Sequence, residues 1–192
     1  MSSTLRGYER HEKDYYVTPV NKVIEFLDVF KKYEPEAFTK GIILDPCAGG
    51  DDNHVMSYPT ALIHSGINKT RIRTIDIRED SLAEIKGNYL EMELDYKPSV
   101  IITNPPFKDS VQIIEKALDD AADNGFVIML QRLNFYGSKE RKPFWEKLFP
   151  KYTFVHHRRM SFTDSGGTDS IEYAHFVFQK GLHPEFSLIK LI

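Results

Sequence analysis

A short apolar run that ends in Asn-Pro-Pro-Phe constrains the fold of this chain more than any other feature. Residues 99–103 are apolar and mostly β-branched, which is typical of a buried strand. The sequence Asn104-Pro105-Pro106-Phe107 follows at once. Because proline fixes φ and donates no backbone hydrogen bond, the strand is predicted to end here. In open α/β sheets, the carboxyl ends of the strands are where ligands bind.

The predicted turn places hydrogen-bond acceptors beside an aromatic ring. The acceptors are the Asn104 side-chain oxygen and a backbone carbonyl whose direction is fixed by the prolines, and Phe107 supplies the ring. This set suits an exocyclic amine on a flat base. The alternative is a simple strand-ending turn with a buried Phe, and the motif by itself does not decide between the two.

The remaining pattern predicts one α/β domain over residues 1–192, with residues 1–14 as a polar arm. Strands alternate with helices up to residue 131, which favours a mostly parallel sheet with helices on both faces. Two later strands flank a Gly-rich loop, Thr163–Thr168, and predict an antiparallel pair at the sheet edge. Helices are predicted from Thr18-Pro19 through Phe30, from Ser57 or Pro59 to Gly66, around Asp80–Lys86, over Asp109–Asn124 and over Lys139–Phe149. Strands are predicted at 42–44, 71–75, 87–90, 99–103, 126–130, 152–158 and 172–179.

Composition predicts a cytoplasmic location without a membrane partner. No apolar run approaches the ~20 residues that span a bilayer, and the first residues lack the apolar segment of a secretory signal. The single cysteine, Cys47, excludes an internal disulfide framework and fits a reducing compartment. We predict no metal site, because the adjacent His156 and His157 would point to opposite faces of a strand.

Three further constellations lie where predicted strands end. Asp45–Gly50 supplies small residues that let backbone N–H groups approach a ligand, although its spacing is neither a P-loop nor G-x-G-x-x-G. Asp76 stands where a carboxylate accepts from ribose hydroxyls in doubly wound folds. Asn88 and Tyr89 could bracket an adenine. Asp45–Gly50 could instead be a tight strand-to-helix loop, and Asp76 an ordinary turn residue. Asn88 and Tyr89 could instead form a surface turn with a core Tyr.

Together these features resemble the class I S-adenosylmethionine-dependent methyltransferases, and more narrowly the N6-adenine DNA methyltransferases, including small phage-encoded members. The sequence Tyr16-Val17-Thr18-Pro19 is similar to the family's aromatic-x-Thr-Pro motif, Asp45–Gly50 to its cofactor loop, and Asn104–Phe107 to its catalytic motif. The resemblance covers roughly residues 14–131 and continues more weakly through 158–180. It implies S-adenosylmethionine as cofactor, held by Tyr16, Thr18, Pro19, Asp45, Pro46, Cys47, Ala48, Gly49, Asp76, Ile77, Asn88 and Tyr89.

The chain departs from the family pattern at several positions. Asp51 stands where family members commonly have the last glycine of the cofactor loop, Tyr16 replaces a common Phe, and Gly87-Asn88 replaces a frequent acidic residue. No long insert resembles a target-recognition domain. A chain of this size is therefore expected either to read few bases or to depend on a partner subunit for sequence specificity.

The resemblance implies methyl transfer to the N6 amine of adenine in double-stranded DNA, with the base flipped out of the helix. Asn104, Pro105, Pro106 and Phe107 form the implied catalytic motif: the Asn104 oxygen and the Pro105 carbonyl bind the amine hydrogens, and Phe107 stacks on the base. Methylation of RNA adenine, cytosine N4 or a protein glutamine stays open, as does a non-catalytic cofactor- or DNA-binding subunit.

A basic stretch follows the predicted methyltransferase motifs. Residues 131–160 contain eight Lys and Arg against two Glu, although the whole chain carries a net charge of −3. Contacts with DNA phosphates are predicted for Arg132, Lys139, Arg141, Lys142, Arg158 and Arg159. Phe144, Trp145 and Leu148 recur at helical spacing in the same stretch, which favours a core role for those three.

Overall fold

The computed structural model describes residues 17–162 and 171–192. Tyr16, the predicted arm 1–14 and the predicted loop Thr163–Thr168 therefore lie outside the described residues. The helices are α1 (Val20–Tyr33), α2 (Ser57–His64), α3 (Ser110–Asp120) and α4 (Lys142–Lys147). The strands are β1 (Ile43–Asp45), β2 (Ile72–Asp76), β3 (Ile85–Lys86), β4 (Val100–Thr103), β5 (Phe126–Arg132), β6 (Tyr152–Val155), β7 (Tyr173–Gln179) and β8 (Leu188–Leu191). Short 3-10 turns occupy Lys69–Arg71, Tyr89–Glu91 and Leu133–Tyr136.

The described strands form one sheet in the order β3-β2-β1-β4-β5-β7-β6-β8. The first five strands in this order are mutually parallel, and β7 runs antiparallel to both β5 and β6. The predicted mostly parallel sheet with an antiparallel pair is confirmed. The pair is not the outermost element, however, because β8 adds to β6 in parallel and forms the edge.

The topological switch point of the sheet lies between β1 and β4. From β1 the chain passes to β2 and β3 on one side, and then returns to place β4 and β5 on the other. Loops that follow β1 and β4 consequently diverge to opposite faces and leave a crevice at their carboxyl ends. The loop after β1 and the Asn-Pro-Pro-Phe turn after β4 both open into this crevice.

The central strands are buried on both faces, as expected for strands covered by helices on each side. Side chains alternate along β4, so that Val100 and Ile102 enter one core cluster while Ile101 enters the other. The first cluster is covered by α1 and α2, and the second by α3 and α4. Phe144 and Trp145 belong to or pack on the second cluster, which confirms the predicted core role of these aromatics.

A chain of buried polar side chains crosses the first core cluster. The Tyr58 hydroxyl is 3.0 Å from Nε2 of His175, and Nδ1 of His175 is 3.0 Å from Nε2 of His156. The ring of Phe26 stacks on His175 with centroids 4.0 Å apart. Burial lowers the pKa of His156 to about 4, and the nearby cation of Lys22 adds to the shift. Burial also lowers the pKa of His175 well below its usual value. Both imidazoles are therefore neutral in the folded protein.

The predicted helix around Asp80–Lys86 is wrong. The amide of Leu82 donates to the Gly49 carbonyl (3.1 Å), and the amide of Glu84 donates to the Thr74 hydroxyl (2.8 Å). These amides bind neighbouring segments instead of the preceding helical turn, so the segment is extended and ends in β3. The predicted strand at 87–90 is likewise a 3-10 turn, because the Asn88 side chain accepts from the Leu90 amide.

Other boundaries differ by a few residues. Helix α3 ends at Asp120 rather than 124, since Ala121 is extended and Ala122 donates to the Pro98 carbonyl. Strand β8 was not predicted, although Leu188–Ile192 is a short apolar run of the type that forms strands. Within residues 17–162 and 171–192, no helix combines the length and apolarity needed to cross a bilayer.

We expect the buried histidines to make stability depend on pH. A histidine whose folded pKa is depressed stabilises the protein above its unfolded pKa, and this contribution is lost as pH falls towards the folded value. With a pKa of about 4 for His156, the stability advantage of the wild type over H156Q should shrink by roughly 2 kcal/mol between pH 7 and pH 5. Urea unfolding at both pH values measures it.

The exposed helix position His64 provides the control variant H64Q for loss of a histidine. A stability difference between the wild type and H156Q that is equal at pH 7 and pH 5 would contradict a neutral, buried His156.

Candidate active site

A cleft of about 660 Å³ lies at the carboxyl ends of β1, β2, β4 and β5. This volume is within the range of small-molecule sites, about 300–1,000 Å³. Most side chains predicted from the sequence to form a site meet here. The lining includes Thr18, Pro46, Cys47, Ala48, Gly49, Asp76, Ile77, Asn88, Tyr89, Asn104, Pro105, Pro106, Phe107 and Arg132.

Three predicted cofactor residues are not on the described wall of the cleft. Pro19 lies at the start of α1, where its carbonyl accepts from the amides of Lys22 and Val23. Asp45 is fully buried behind the loop that follows it. Tyr16 lies outside the described residues.

The loop after β1 is held in place by strand β2. The amide of Ala48 donates to the Ile75 carbonyl at 3.0 Å, and the amide of Gly49 donates to Oδ2 of Asp76 at 2.7 Å. Gly49 and Gly50 have φ values of 63° and 75°, a conformation that side-chain-bearing residues rarely adopt. The glycines are therefore required by the tight reversal of the loop.

Asp76 is the residue on which this loop depends. Its Oδ2 accepts from Gly49, and its Oδ1 accepts from the amide of Arg78 at 2.8 Å. An ionised carboxylate offers about four acceptor positions, so two remain for a ligand at the cleft wall. Asp76 can thus fix the loop and accept from a ligand hydroxyl at the same time.

The unusual Asp51 does not enter the cleft lining. Its Oδ1 accepts from the amides of Asn53 (2.8 Å) and His54 (2.9 Å) and lies 2.9 Å from Nδ1 of His54. Desolvation opposes its ionisation, but these hydrogen bonds prevail and lower the pKa of Asp51. The side chain that replaces the common glycine is therefore turned into its own loop.

Acidic side chains lie at and beneath the floor of the cleft. Burial raises the pKa of Asp45 to about 7, and nearby Asp76 adds to this shift. The Thr103 hydroxyl is close enough to oppose the shift without reaching hydrogen-bond geometry, so Oδ2 of Asp45 has no partner among the described residues. Burial, with Asp45, Asp76 and Asp109 nearby, also raises the pKa of the Cys47 thiol. Such a site favours a cationic ligand.

Asn104 carries the most informative polar atom of the cleft. Its Nδ2 donates to the Thr18 hydroxyl at 3.1 Å, which fixes the orientation of the amide. Its Oδ1 is buried and has no hydrogen-bond partner among the described residues. Buried acceptors in folded proteins are nearly always paired, so an unpaired one in a cleft indicates a place for a ligand donor.

The turn after Asn104 uses the Pro106 carbonyl to begin the next helix. The Pro106 carbonyl accepts from the amide of Asp109 (3.1 Å) and from the Ser110 hydroxyl (3.2 Å) at the start of α3. The Pro105 carbonyl is therefore the one that fits the predicted second acceptor. Phe107 is half-buried, packs against the first core cluster, and contacts Tyr173 with ring centroids 6.2 Å apart.

Asn88 and Tyr89 contribute less polar chemistry than the sequence predicted. Asn88 accepts from the Leu90 amide and donates to Glu91, so its amide serves its own turn. Tyr89 is buried and donates its hydroxyl to Asp120 at 2.8 Å. In their present contacts, both residues shape the wall rather than present polar groups to the cleft.

Sequence reasoning missed several residues of the wall. Val55 and Ile77 are about half exposed, at 53% and 54%, yet both line the cleft, where they offer an apolar surface to a flat group. Ile77 was predicted to bind the cofactor, whereas Val55 and Tyr58 were not predicted as site residues. An apolar residue inside the polar stretch 51–56 was the available signal for Val55.

The six predicted DNA-contacting residues occupy different surroundings. Arg132 ends β5 and lines the cleft. Arg158 and Arg159 are exposed just after β6, at the same sheet edge, and Arg159 is 3.8 Å from Glu172. Arg141 donates to the carbonyls of Asn134, Phe135 and Gly137. Lys139 and Lys142 are exposed, and Lys142 pairs with Glu146 along α4.

Comparison with proteins of known structure identifies the architecture. A Listeria monocytogenes protein assigned as a class I S-adenosylmethionine-dependent methyltransferase aligns with a TM-score of 0.63 and 12% identity over 92% of this chain and 65% of its own. A Pyrococcus horikoshii protein assigned as an RNA methyltransferase aligns with a TM-score of 0.65 and 15% identity over 94% of this chain and 95% of its own.

The fold is that of the class I methyltransferases. The type IIG restriction endonuclease BpuSI also contains it, with a TM-score of 0.61 and 16% identity over 94% of this chain and 27% of its own. This chain thus spans less than two thirds of the Listeria protein and of BpuSI. Comparisons with protein-family models and with curated proteins give no match. At these identities, the likeness establishes the class I methyltransferase fold alone.

We expect D76A to destabilise the protein even without a ligand. Removal of the Asp76 carboxylate leaves the amides of Gly49 and Arg78 without their acceptor. We expect this to lower the free energy of unfolding by about 2–4 kcal/mol. Asp52, an exposed carboxylate of the same loop, provides the control D52A, which should change stability by less than about 0.5 kcal/mol. Equal stabilities of D76A and D52A in urea unfolding would refute this role.

Proposed function

We propose that this chain transfers a methyl group from S-adenosylmethionine to the exocyclic N6 amine of adenine in DNA. The observation that supports this most directly is Oδ1 of Asn104, which has no hydrogen-bond partner within residues 17–162 and 171–192. It is a buried acceptor held in a fixed direction by Thr18, at the cleft wall of a class I methyltransferase fold. An amine N–H is the donor that such an acceptor lacks.

The cleft fits the proposed cofactor in size and charge. S-adenosylmethionine carries a sulfonium, an ammonium and one carboxylate, and the acidic side chains of Asp76 and Asp109 in the cleft lining suit the two positive groups. Thr18, the loop from Pro46 to Gly49, and Asp76 are the residues that would hold it. When bound, it supplies an electrophilic methyl group.

Asn104 and Pro105 would act by orienting the nitrogen. The N6 amine is a weak nucleophile because its lone pair is delocalised into the ring. Two acceptors that bind both N–H hydrogens favour a tetrahedral nitrogen, whose lone pair is then directed at the donated methyl. With the cofactor bound, the oriented nitrogen would be placed to accept the methyl group, and its surplus proton would pass to solvent. Positioning and preorganised acceptors provide the acceleration.

The rim of the cleft favours a nucleic acid over a protein side chain. Arg132 lies in the cleft wall, and Arg158 and Arg159 are exposed at the same edge of the sheet. Cations at this position suit a phosphodiester backbone. The fold shared with a restriction endonuclease supports DNA, while the fold shared with a protein assigned as an RNA methyltransferase keeps RNA as a second nucleic-acid candidate.

Transfer of a labelled methyl group to pools of DNA, RNA and protein tests the proposed function, with nucleoside and amino-acid analysis of each product. We expect N6-methyladenine in the DNA pool. Label in RNA adenine, in cytosine N4 or in protein glutamine would replace the proposed substrate. Absence of label from all three pools, together with no calorimetric binding of S-adenosylmethionine, would favour a non-catalytic subunit.

We expect N104A to lose turnover while it retains cofactor affinity. The variant removes the acceptor that orients the amine, and loss of one preorganised polar group typically costs about 10²–10³ in kcat. Single-turnover methyl transfer and calorimetry with S-adenosylmethionine measure the two effects separately. The control N21A removes an exposed Asn from α1 and should leave both unchanged. Wild-type turnover in N104A would contradict the proposed orientation of the amine by Asn104.

A further inference from the structure

Arg132 covers the aromatic ring of the Asn-Pro-Pro-Phe turn. Its guanidinium carbon lies 4.6 Å from the centroid of the Phe107 ring, and its Nε is 3.4 Å from the Tyr173 hydroxyl. The pairing of β5 with β7 places Arg132 directly opposite Tyr173. The planar, charged guanidinium therefore lies on the surface that a substrate base would need for stacking.

The position of the Arg132 guanidinium matters because little of the Phe107 ring is left for contact with a ligand. The ring packs against the first core cluster and against Tyr173, and both Phe107 and Arg132 line the cleft. A flat amine-bearing ring with its N–H groups at Asn104 would lie beside Phe107 and meet Arg132. The guanidinium and the base would compete for one place.

Magnitudes favour the base in this competition. A cation over an aromatic ring at a partly exposed site contributes a factor of about two to five to an equilibrium. Stacking of a nucleobase on an aromatic side chain contributes about fivefold to a hundredfold. An entering base can therefore displace the guanidinium from the face of the Phe107 ring.

A nucleotide brings a strong new partner for the guanidinium. Its phosphate is covalently attached close to the base, and a guanidinium binds phosphate in a planar, two-point fashion. Arg132 lies at the carboxyl edge of the sheet, at the mouth of the cleft, where a phosphate would remain when the base is inside. An uncharged glutamine side chain offers no such group.

We propose that Arg132 is a specificity-determining residue that exchanges its contact with Phe107 for a phosphate of the target nucleotide when the base enters. This inference rests on the proposed function, because it requires an amine-bearing base beside Asn104. It deepens that function by naming the feature of the substrate that is recognised. Nucleotides within a polynucleotide would be accepted, while bare nucleosides and glutamine side chains would be disfavoured.

Binding of two probes to the wild type, R132A and R132K tests the exchange. The probes are adenosine and a single-stranded pentanucleotide of thymidines with one central adenine, each titrated with saturating S-adenosylhomocysteine to keep adenosine out of the cofactor site. In R132A we expect about tenfold weaker pentanucleotide binding and a salt slope smaller by about 0.7, the contribution of one phosphate contact. Adenosine should bind R132A about two- to fivefold more tightly, because no cation covers Phe107.

Two further variants separate charge from position. R132K keeps the charge without the planar group, and it should retain the wild-type salt slope. The control K40A removes an exposed cation near the amino end of β1, at the opposite edge of the sheet, and should bind both probes like the wild type. Thermal unfolding of each variant checks that it is folded.

The outcomes that overturn the exchange differ from those that overturn the proposed function. If R132A binds both probes more weakly by the same factor, Arg132 is an ordinary contact of the base, and the exchange is wrong. Unchanged binding of both probes also overturns it. If the wild type binds neither probe, the proposed function fails and the exchange fails with it.

Discussion

The site depends on the hydrogen bonds that the Asp76 carboxylate accepts from the amides of Gly49 and Arg78. Together with the bond from the Ala48 amide to the Ile75 carbonyl, they select one conformation of the loop after β1, whose glycines are compatible with many. The carboxylate ends β2, so the position of the loop follows from the pairing of β1 with β2. The geometry of the cleft is in this sense a property of the sheet. The loop sequence alone does not define it.

The same sheet brings together the acceptor and its support. Asn104 is placed by the end of β4, and Thr18 by the start of α1, which packs on the first core cluster. Each residue alone has little chemical meaning, since a strand-end Asn is an ordinary turn residue. Together they fix the direction of the Asn104 amide, whose oxygen has no partner in the part of the chain that the structure describes. The chain of Tyr58, His175 and His156 lies in that same core, so polar order extends from the cleft into the packing beneath α1.

Local sequence signals predicted the parts of the molecule that local chemistry determines. The strand before Asn104, the loop at Asp45–Gly50 and the terminal Asp76 could each be recognised from residue types and spacing. The segment 80–86 could not, because its amides bind Gly49 and Thr74, which are distant in sequence. The contact of Arg132 with Phe107 was equally hidden: it follows from the register of β5 against β4 and β7, which no short motif encodes.

Substrate choice on such a site must come from its rim. An unpaired amide oxygen and a proline carbonyl accept from any planar exocyclic amine, so adenine, cytosine and glutamine amides look alike to Asn104. Stacking on Phe107 selects for flatness and little else. The groups that differ among these substrates are the charged ones attached outside the ring. Arg132 lies over the Phe107 ring, and in the proposed exchange this cation couples entry of the base to the presence of a phosphate. Recognition of the backbone and recognition of the amine then become one event.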